Sequence, residues 1–156
     1  MASAGPPEVE GAETTEVTSL LQRISNMMVA MQKEYFGRGP DRTKSYMLDD
    51  LLLVVMRGGV TRAEQTMLDF GQEDLVRNFR QQFENEMTKR LVGGIEELTG
   101  RRVLTYQSQI LFNPHVICEI FVFEELADTD QLRETAEGQL TDRSLGEVGS
   151  EGEPSD

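Results

Sequence analysis

Six consecutive apolar residues, Leu51–Met56, constrain the fold more than any other stretch of the sequence. They follow Asp49-Asp50 and the run Thr43–Leu48, so the two runs predict a β-hairpin with a tight turn. An antiparallel strand with one face in water alternates apolar and polar residues, whereas this strand is apolar on both faces. We therefore expect protein on both sides of it, with helices covering only one side.

The apolar residues on the side that the helices do not cover predict an interface with another protein molecule. We assign Leu52, Val54 and Met56 to this interface, because they share one face of the strand. The partner is expected to be a second copy of the chain, giving a homodimer, or a different docked protein.

An amphipathic helix precedes the hairpin. Apolar residues recur every three or four positions between Val17 and Tyr35, which predicts one apolar helical face. The helix is expected to begin near Thr15 and to end at Gly37, since glycine readily adopts the left-handed conformation found after helix ends.

Two further helices are predicted after Gly58-Gly59. Thr61 and Glu64 have the spacing of a capping box, which indicates the start of a short helix. A longer helix follows Gly71 and extends to Gly100, with Gly94 on its apolar arc to permit close approach of another element. This apolar arc is expected to cover the sheet, and its members are Val76, Phe79, Phe83, Met87, Leu91, Ile95 and Leu98.

A second hairpin is predicted from Arg102–Phe112 and Val116–Glu124, with its turn at 113–115. The order of elements indicates an α+β fold. We expect a two-layer domain with a four-stranded, mostly antiparallel sheet made of two hairpins, and with the long helix and the N-terminal helix packed on it.

The acidic charge lies at the two ends of the chain. The formal net charge is −13, of which residues 1–16 contribute −4 and residues 124–156 contribute −9, so residues 17–123 are neutral. We predict a disordered acidic N-terminal segment at 1–14, a folded domain at 15–125 and an acidic, largely disordered tail at 126–156. A neutral domain does not favour nucleic-acid binding.

Hydropathy and cysteine content favour a cytoplasmic protein. No segment approaches the roughly 18 to 20 apolar residues of a membrane-spanning helix, and the first residues lack the pattern of a secretory signal. The single cysteine, Cys118, excludes an internal disulfide. Membrane association is therefore expected only indirectly, through a partner.

Neither a catalytic set nor a metal site is predicted. His115, the only histidine, lies in a predicted turn and is expected to be exposed to solvent, with no partner to make it a general base. Cys118 lies in an apolar strand and is expected to be a small buried side chain. Asp49-Asp50 fits a hairpin turn better than a cation site. We therefore expect no enzyme activity and no cofactor.

The loop Gly37-Arg38-Gly39-Pro40 is a candidate ligand site. Backbone N–H groups of Gly37 and Gly39, together with Arg38, Arg42 and Lys44, would suit an anion. However, anion loops normally lead into the N-terminus of a helix, and this loop follows a helix C-terminus. A structural loop, with Arg38 bound to an acid or a carbonyl, is therefore the preferred interpretation.

The order of these sequence features resembles a known bacterial family. The segments EYFGRGP, DDLLLVVMRGGVTRAEQ, EDLVRNFRQQFENEMTKRLVGGIEELTGRRV and EIFVFEE, within about residues 18–125, are similar to the Na+-translocating membrane potential-generating system MpsC-like family. The most specific matches are Gly37–Pro40, Gly59–Thr61 with Glu64, and Leu98–Gly100.

The resemblance implies a small domain without an established catalytic activity. It suggests a non-catalytic cytoplasmic interaction or regulatory domain, accessory to a sodium-translocating system. The alternative hypothesis is a small anion or nucleotide sensor that uses the Gly37–Pro40 loop.

Overall fold

The computed structural model describes residues 10–125. Residues 1–9 and 126–156, which make up most of the two predicted disordered segments, lie outside the described residues. The elements are α1 (Glu10–Phe36), β1 (Arg42–Leu48), β2 (Leu51–Arg57), α2 (Arg62–Asp69), α3 (Glu73–Thr99), β3 (Val103–Leu111) and β4 (Val116–Phe123). This order confirms the predicted α+β fold.

The four strands form one sheet in the order β1-β2-β4-β3. All neighbouring pairs are antiparallel, and both predicted hairpins are present. Strands β2 and β4 are central, with Leu53 opposite Ile120. The β1–β2 turn contains Asp49 at φ 49°, a conformation that aspartate tolerates better than most residues.

Helix α1 begins at Glu10, five residues before the predicted start at Thr15. The apolar periodicity starts only at Val17, and residues 11 and 13–19 are exposed. Because these residues do not pack against the rest of the domain, the first two turns of α1 show no apolar periodicity in the sequence. Acidic residues such as Glu13 and Glu16 still favour a helix there, because negative charge is stabilising near a helix N-terminus.

The predicted helix boundaries at glycines and at the capping box are confirmed. Gly37 has φ +75°, and its N–H donates to the carbonyl of Lys33 at 2.9 Å after the last residue of α1. At the start of α2, Thr61 Oγ1 accepts from the N–H of Glu64 at 3.3 Å, and Glu64 Oε2 accepts from the N–H of Thr61 at 2.8 Å. These reciprocal bonds satisfy two donors that the helix leaves free.

Helices α1 and α3 pack against each other and against one side of the sheet. A side chain at Gly94 would place its Cβ 2.6 Å from Met27 Sδ, which confirms the predicted close approach to another helix. The hydroxyls of Ser25 on α1 and Ser45 on β1 form a buried hydrogen bond at 2.8 Å. The core between the layers contains Ile24, Met28, Met31, Leu52, Val54, Met56, Met87, Leu91, Ile95, Ile110, Ile117, Phe121 and Phe123.

The interface assigned to Leu52, Val54 and Met56 is corrected by this packing. All three side chains are 0% exposed, because they point to the side of the sheet that the helices cover. Leu51, Leu53 and Val55 point to the other side and are half-buried. The assignment had the two faces of the strand reversed.

Within residues 10–125, every helix is too short or too polar to span a lipid bilayer.

Candidate functional site

The side of the sheet opposite the helices is a continuous apolar surface. Successive residues of a strand point to opposite faces, so the register of the four strands places one set of side chains together on this side. Tyr46, Leu48 and Leu111 are 40%, 61% and 53% exposed, and the other members are half-buried. We call this surface the open face; its apolar members are Tyr46, Leu48, Leu51, Leu53, Val55, Leu111, Val116, Cys118, Ile120 and Val122.

Basic and neutral polar residues surround the apolar centre of the open face. Arg42 lies opposite Arg57 in the register of β1 and β2, and Lys44 lies opposite Val55. The ammonium group of Lys44 is 5.0 Å from the centroid of the Tyr46 ring, a distance suited to a cation–π contact. Among the described strand residues, no acidic residue has a register position on this face.

Cys118 also lies on the open face, since it is opposite Val55 and Gln109 in the register. It is half-buried, whereas the sequence predicted a small buried side chain. Its neighbours are aliphatic and polar uncharged residues, so the thiol contributes apolar surface here.

The loop Gly37–Pro40 packs against a second glycine-containing loop. Arg38 NH1 donates to the carbonyl of Val60 at 2.9 Å, and Arg38 NH2 lies 3.5 Å from Asp41 Oδ1. A Cβ on Gly59 would lie 3.1 Å from Pro40 Cα, so only glycine permits this approach. Arg38 therefore fastens the two loops together.

Arg42 and Lys44, the other basic residues of the predicted anion site, have different surroundings from Arg38. Both lie on the open face, at the start of β1. Arg38 already has a carbonyl and a carboxylate as partners. The contacts of the described residues favour the structural interpretation of the loop over the ligand site.

A buried ion pair lies directly behind these loops. Arg80 of α3 is 1% exposed; its Nε and NH2 donate to the two carboxylate oxygens of Glu64 at 2.7 and 2.8 Å. Arg80 NH2 also lies 3.2 Å from the carbonyl oxygen of Gly59, and the guanidinium carbon lies 4.4 Å from the centroid of the Phe36 ring. One buried cation thus connects α1, α2, α3 and the second glycine loop.

The pKa of Glu64 reflects two opposing effects. Burial raises the pKa of this carboxyl, but hydrogen bonds from Arg80 and from the backbone of Thr61 lower it, and the net shift is below the ordinary value. Glu64 is therefore ionised at neutral pH, where it both caps α2 and forms the ion pair with Arg80.

His115 is part of the same region, which corrects the prediction of a solvent-exposed residue. Its ring is half-buried, and Nδ1 donates to the carbonyl of Gly58 at 2.8 Å. Burial lowers the pKa of His115, so the neutral ring is favoured at neutral pH. The histidine therefore secures the end of β2.

A second buried polar cluster lies under the centre of the sheet. Glu119 of β4 is 1% exposed, and Glu84 of α3 is 3% exposed. The hydroxyl of Tyr106 donates to Glu119 Oε2 at 2.6 Å. Burial, followed by the negative charge of Glu84, raises the pKa of Glu119 to about 7; burial also raises the pKa of Glu84. The pair therefore retains protons at pH values where surface carboxyls are ionised.

Sequence reasoning missed the polar residues of the buried side of α3. We assigned this arc from its apolar members alone and included Phe79, which is 48% exposed. Arg80 and Glu84 continue a spacing of three and four residues between Val76 and Met87. That spacing was the feature of the sequence that could have identified Arg80 and Glu84 as members of the buried side of α3.

A smaller apolar depression lies between α2 and α3. It has a volume of about 270 Å³, and its lining consists of Ala63, Glu64, Met67, Leu75, Val76 and Phe79. It shares no residue, and no helix or strand, with the open face. Met67, Leu75 and Phe79 in this lining are 42%, 52% and 48% exposed.

Comparison with known proteins places the chain in a family. The family model described as "Na+-translocating membrane potential-generating system (MpsC)" matches residues 16–125. The chain belongs to this MpsC family. A relative, the Bacillus subtilis (strain 168) protein called "Uncharacterized protein YrhF", is 22% identical over 110 residues, covering 69% of this chain and 90% of the relative. No solved structure matches.

The MpsC family match contains the whole sheet, α2 and α3. Two of the most specific matches, Gly37–Pro40 and Gly59–Thr61 with Glu64, are joined by the hydrogen bond from Arg38 to the carbonyl of Val60. Arg80 binds Gly59 and Glu64 of the second match. The third, Leu98–Gly100, contains the left-handed residue Gly100 at the end of α3. These three most specific MpsC matches therefore coincide with structural joints, whereas the open-face residues of β2 and β4 lie only in the longer matching segments.

Proposed function

We propose that this protein is a non-catalytic, cytoplasmic interaction domain that acts as an accessory or regulator of a sodium-translocating, membrane potential-generating system. Membership of the MpsC family supports the link to that system. The open face is the observation that carries the interaction role. It is the surface through which we propose that the domain binds protein.

The composition of the open face supports binding to protein. Its centre is made of Leu53, Val55, Ile120 and Val122, residues typical of sheet faces that pack against another layer. Large contiguous apolar patches on soluble domains commonly mark interaction sites. Here the patch extends over two central strands and reaches both edge strands.

The contacts of the titratable side chains support a non-catalytic role. His115 is bound to a backbone carbonyl, and Glu64 and Arg80 are bound to each other under the loops. Glu119 is almost completely buried. Each of these groups has a structural partner or lies away from any surface that a substrate could reach.

The proposal is tested by complementation in the native organism. Deletion of the gene should alter the membrane potential reported by a voltage-sensitive dye, and the wild-type chain should restore it. Val55→Lys should fail to restore it, because the substitution puts a charge in the centre of the open face. Circular dichroism would verify that the variant is folded.

Leu75→Lys is the matched control, because it makes the same kind of change at the depression between α2 and α3, where Leu75 is 52% exposed. It should restore the potential. The proposal is wrong if deletion leaves the potential unchanged, or if Val55→Lys restores it fully. Failure of Leu75→Lys alone would move the interaction to the depression.

The alternative, an anion or nucleotide sensor at Gly37–Pro40, stays a prediction with less structural support. Thermal-shift measurements with phosphate and nucleotides test it, since a ligand at a hundredfold its Kd adds about 2.7 kcal/mol of stability. Absence of a shift, or an equal shift in Arg38→Ala, would remove this alternative.

A further inference from the structure

We propose that the open face binds a second copy of this chain, sheet against sheet, about a two-fold axis that lies in the contact plane and perpendicular to the strands. This inference rests on the surface of the proposed function and names its partner. Two facing sheets would complete a four-layer arrangement in which helices cover the outside and the open faces become an apolar core.

The dimensions of the open face suit a modest interface. Four strands spaced by about 4.8 Å are about 19 Å wide, and seven residues of about 3.3 Å each give a length of about 23 Å. Two such faces enclose about 900 Å² before side-chain relief is counted, close to the roughly 1,000 Å² expected of a specific interface. An interface of this size is typical of weak, transient complexes, so the test is designed for a Kd in the micromolar range.

The two ends of the open face carry opposite charges. Arg42 and Arg57 are paired in the register at one end, and Lys44 follows two residues along β1. Asp49 occupies the β1–β2 turn at the other end. Glu124 directly follows β4, which is antiparallel to β2, and therefore lies at the same end as the turn. At this end Arg101 pairs with Asp50, and Arg102 Nε lies 3.5 Å from Glu124 Oε1. Asp49 is therefore the acid here that no ion pair of the described residues balances, and it gives this end a charge opposite to that of Arg42, Lys44 and Arg57.

The opposite charges at the two ends favour one direction of the two-fold axis over the other. An axis perpendicular to the strands reverses one copy, so each positive end faces the acidic end of the other copy. It also places β1 over β1, with Arg42 near Asp49 of the second copy. An axis parallel to the strands would collect all the basic side chains at one end, which is repulsive.

The same polarity disfavours other occupants of the face. An anionic membrane surface or a strongly acidic segment, such as residues 126–156, would be attracted to Arg42 and Arg57 but repelled by Asp49. A second copy satisfies both ends at once. A self-complementary surface is also what a two-fold interface requires.

Sedimentation equilibrium of the full-length chain tests the proposal, from about 1 to 200 µM, a range that brackets micromolar affinity. The wild type should be in monomer–dimer equilibrium. Val55→Lys should raise the Kd at least about tenfold, whereas Leu75→Lys should leave it unchanged. A monomer at every concentration overturns the proposal, as does a dimer that Val55→Lys leaves intact.

Charge reversal tests the orientation. Arg42→Glu and Asp49→Lys should each weaken the dimer severalfold, and the double variant should regain part of the lost affinity because the pair is restored in reverse. Arg23→Glu, the same charge change on the exposed side of α1, is the control and should not affect the Kd. No recovery in the double variant would overturn the proposed axis.

Dimerisation and the proposed function can fail separately. If the wild type dimerises and Val55→Lys is monomeric yet restores the membrane potential, the dimer stands and the proposed function is wrong. If the wild type is monomeric and Val55→Lys fails to restore the potential, the open face has a different partner and the dimer is wrong.

Discussion

Glu119→Gln should stabilise the protein at alkaline pH. Burial and the neighbouring Glu84 raise the pKa of Glu119 to about 7, from an ordinary value of 4.5. Because the folded state holds this proton more tightly than the unfolded state, stability is greatest at low pH and falls as the pH rises from about 4.5 to 7. A difference of about 2.5 units corresponds to about 3 kcal/mol.

The glutamine variant lacks this loss, because its side chain stays neutral at every pH. Its carbonyl oxygen can still accept the hydrogen bond from Tyr106. We therefore expect the variant to be close to wild type at pH 5 and more stable by up to about 3 kcal/mol at pH 8.

Urea unfolding at one protein concentration, at pH 5, 6, 7 and 8, measures this difference; the fixed concentration prevents dimerisation from altering the comparison. Glu86→Gln, an exposed carboxyl of the same helix as Glu84, is the control for the loss of one negative charge. It should show no comparable pH-dependent gain. A stability difference that does not grow between pH 5 and 8, or a variant less stable at pH 8, would refute the reasoning.

Two substitutions test the joint at the glycine loops, both measured by urea unfolding. Arg80→Met should destabilise the protein by about 3 to 5 kcal/mol, because it leaves Glu64 as an uncompensated buried charge; a loss below about 1 kcal/mol would contradict a buried pair. Gly59→Ala should cost about 1 to 3 kcal/mol, because its φ is +85° and its Cβ would press on Pro40. Gly71→Ala, with φ +73° and no atom within 4 Å, should cost less; equal losses would show that the contact is unimportant.

The element order and sheet composition could be predicted because turns and caps have strong local signals. The two-residue turn at Asp49-Asp50 and the capping box at Thr61 each require particular residue types in a fixed spacing. The early start of α1 had no such signal, since its first turns make no contacts that would impose apolar periodicity.

The faces of β2 were reversed because both of its alternating sets are apolar. Neither set is marked by a polar residue within Leu51–Met56. The neighbouring strand contained the missing information, since a two-residue turn places Leu48 opposite Leu51 and therefore Lys44 opposite Val55. A face shared with Lys44 and Arg42 is the solvent side, because burying both charges would be too costly.

The buried polar residues were harder to predict, because a charged residue normally marks the solvent side of an element. Arg80 and Glu119 are exceptions that depend on partners distant in the sequence. Arg80 needs Glu64, sixteen residues away, and Glu119 needs the hydroxyl of Tyr106 on the next strand. Only the folded chain brings these partners together.

In relatives of this family, the residues of the glycine motifs and those of the open face are subject to different constraints. Gly37–Pro40, Gly59 and Glu64 are constrained by backbone geometry and by one buried ion pair, so substitutions there disturb the fold. The open face is constrained only to remain apolar and opposite in charge at its ends, which Leu, Val and Ile satisfy interchangeably. A relative would therefore retain the motifs even if its open face met a different partner. The polarity from Arg42 to Asp49, rather than the glycine motifs, is the feature that should accompany self-association.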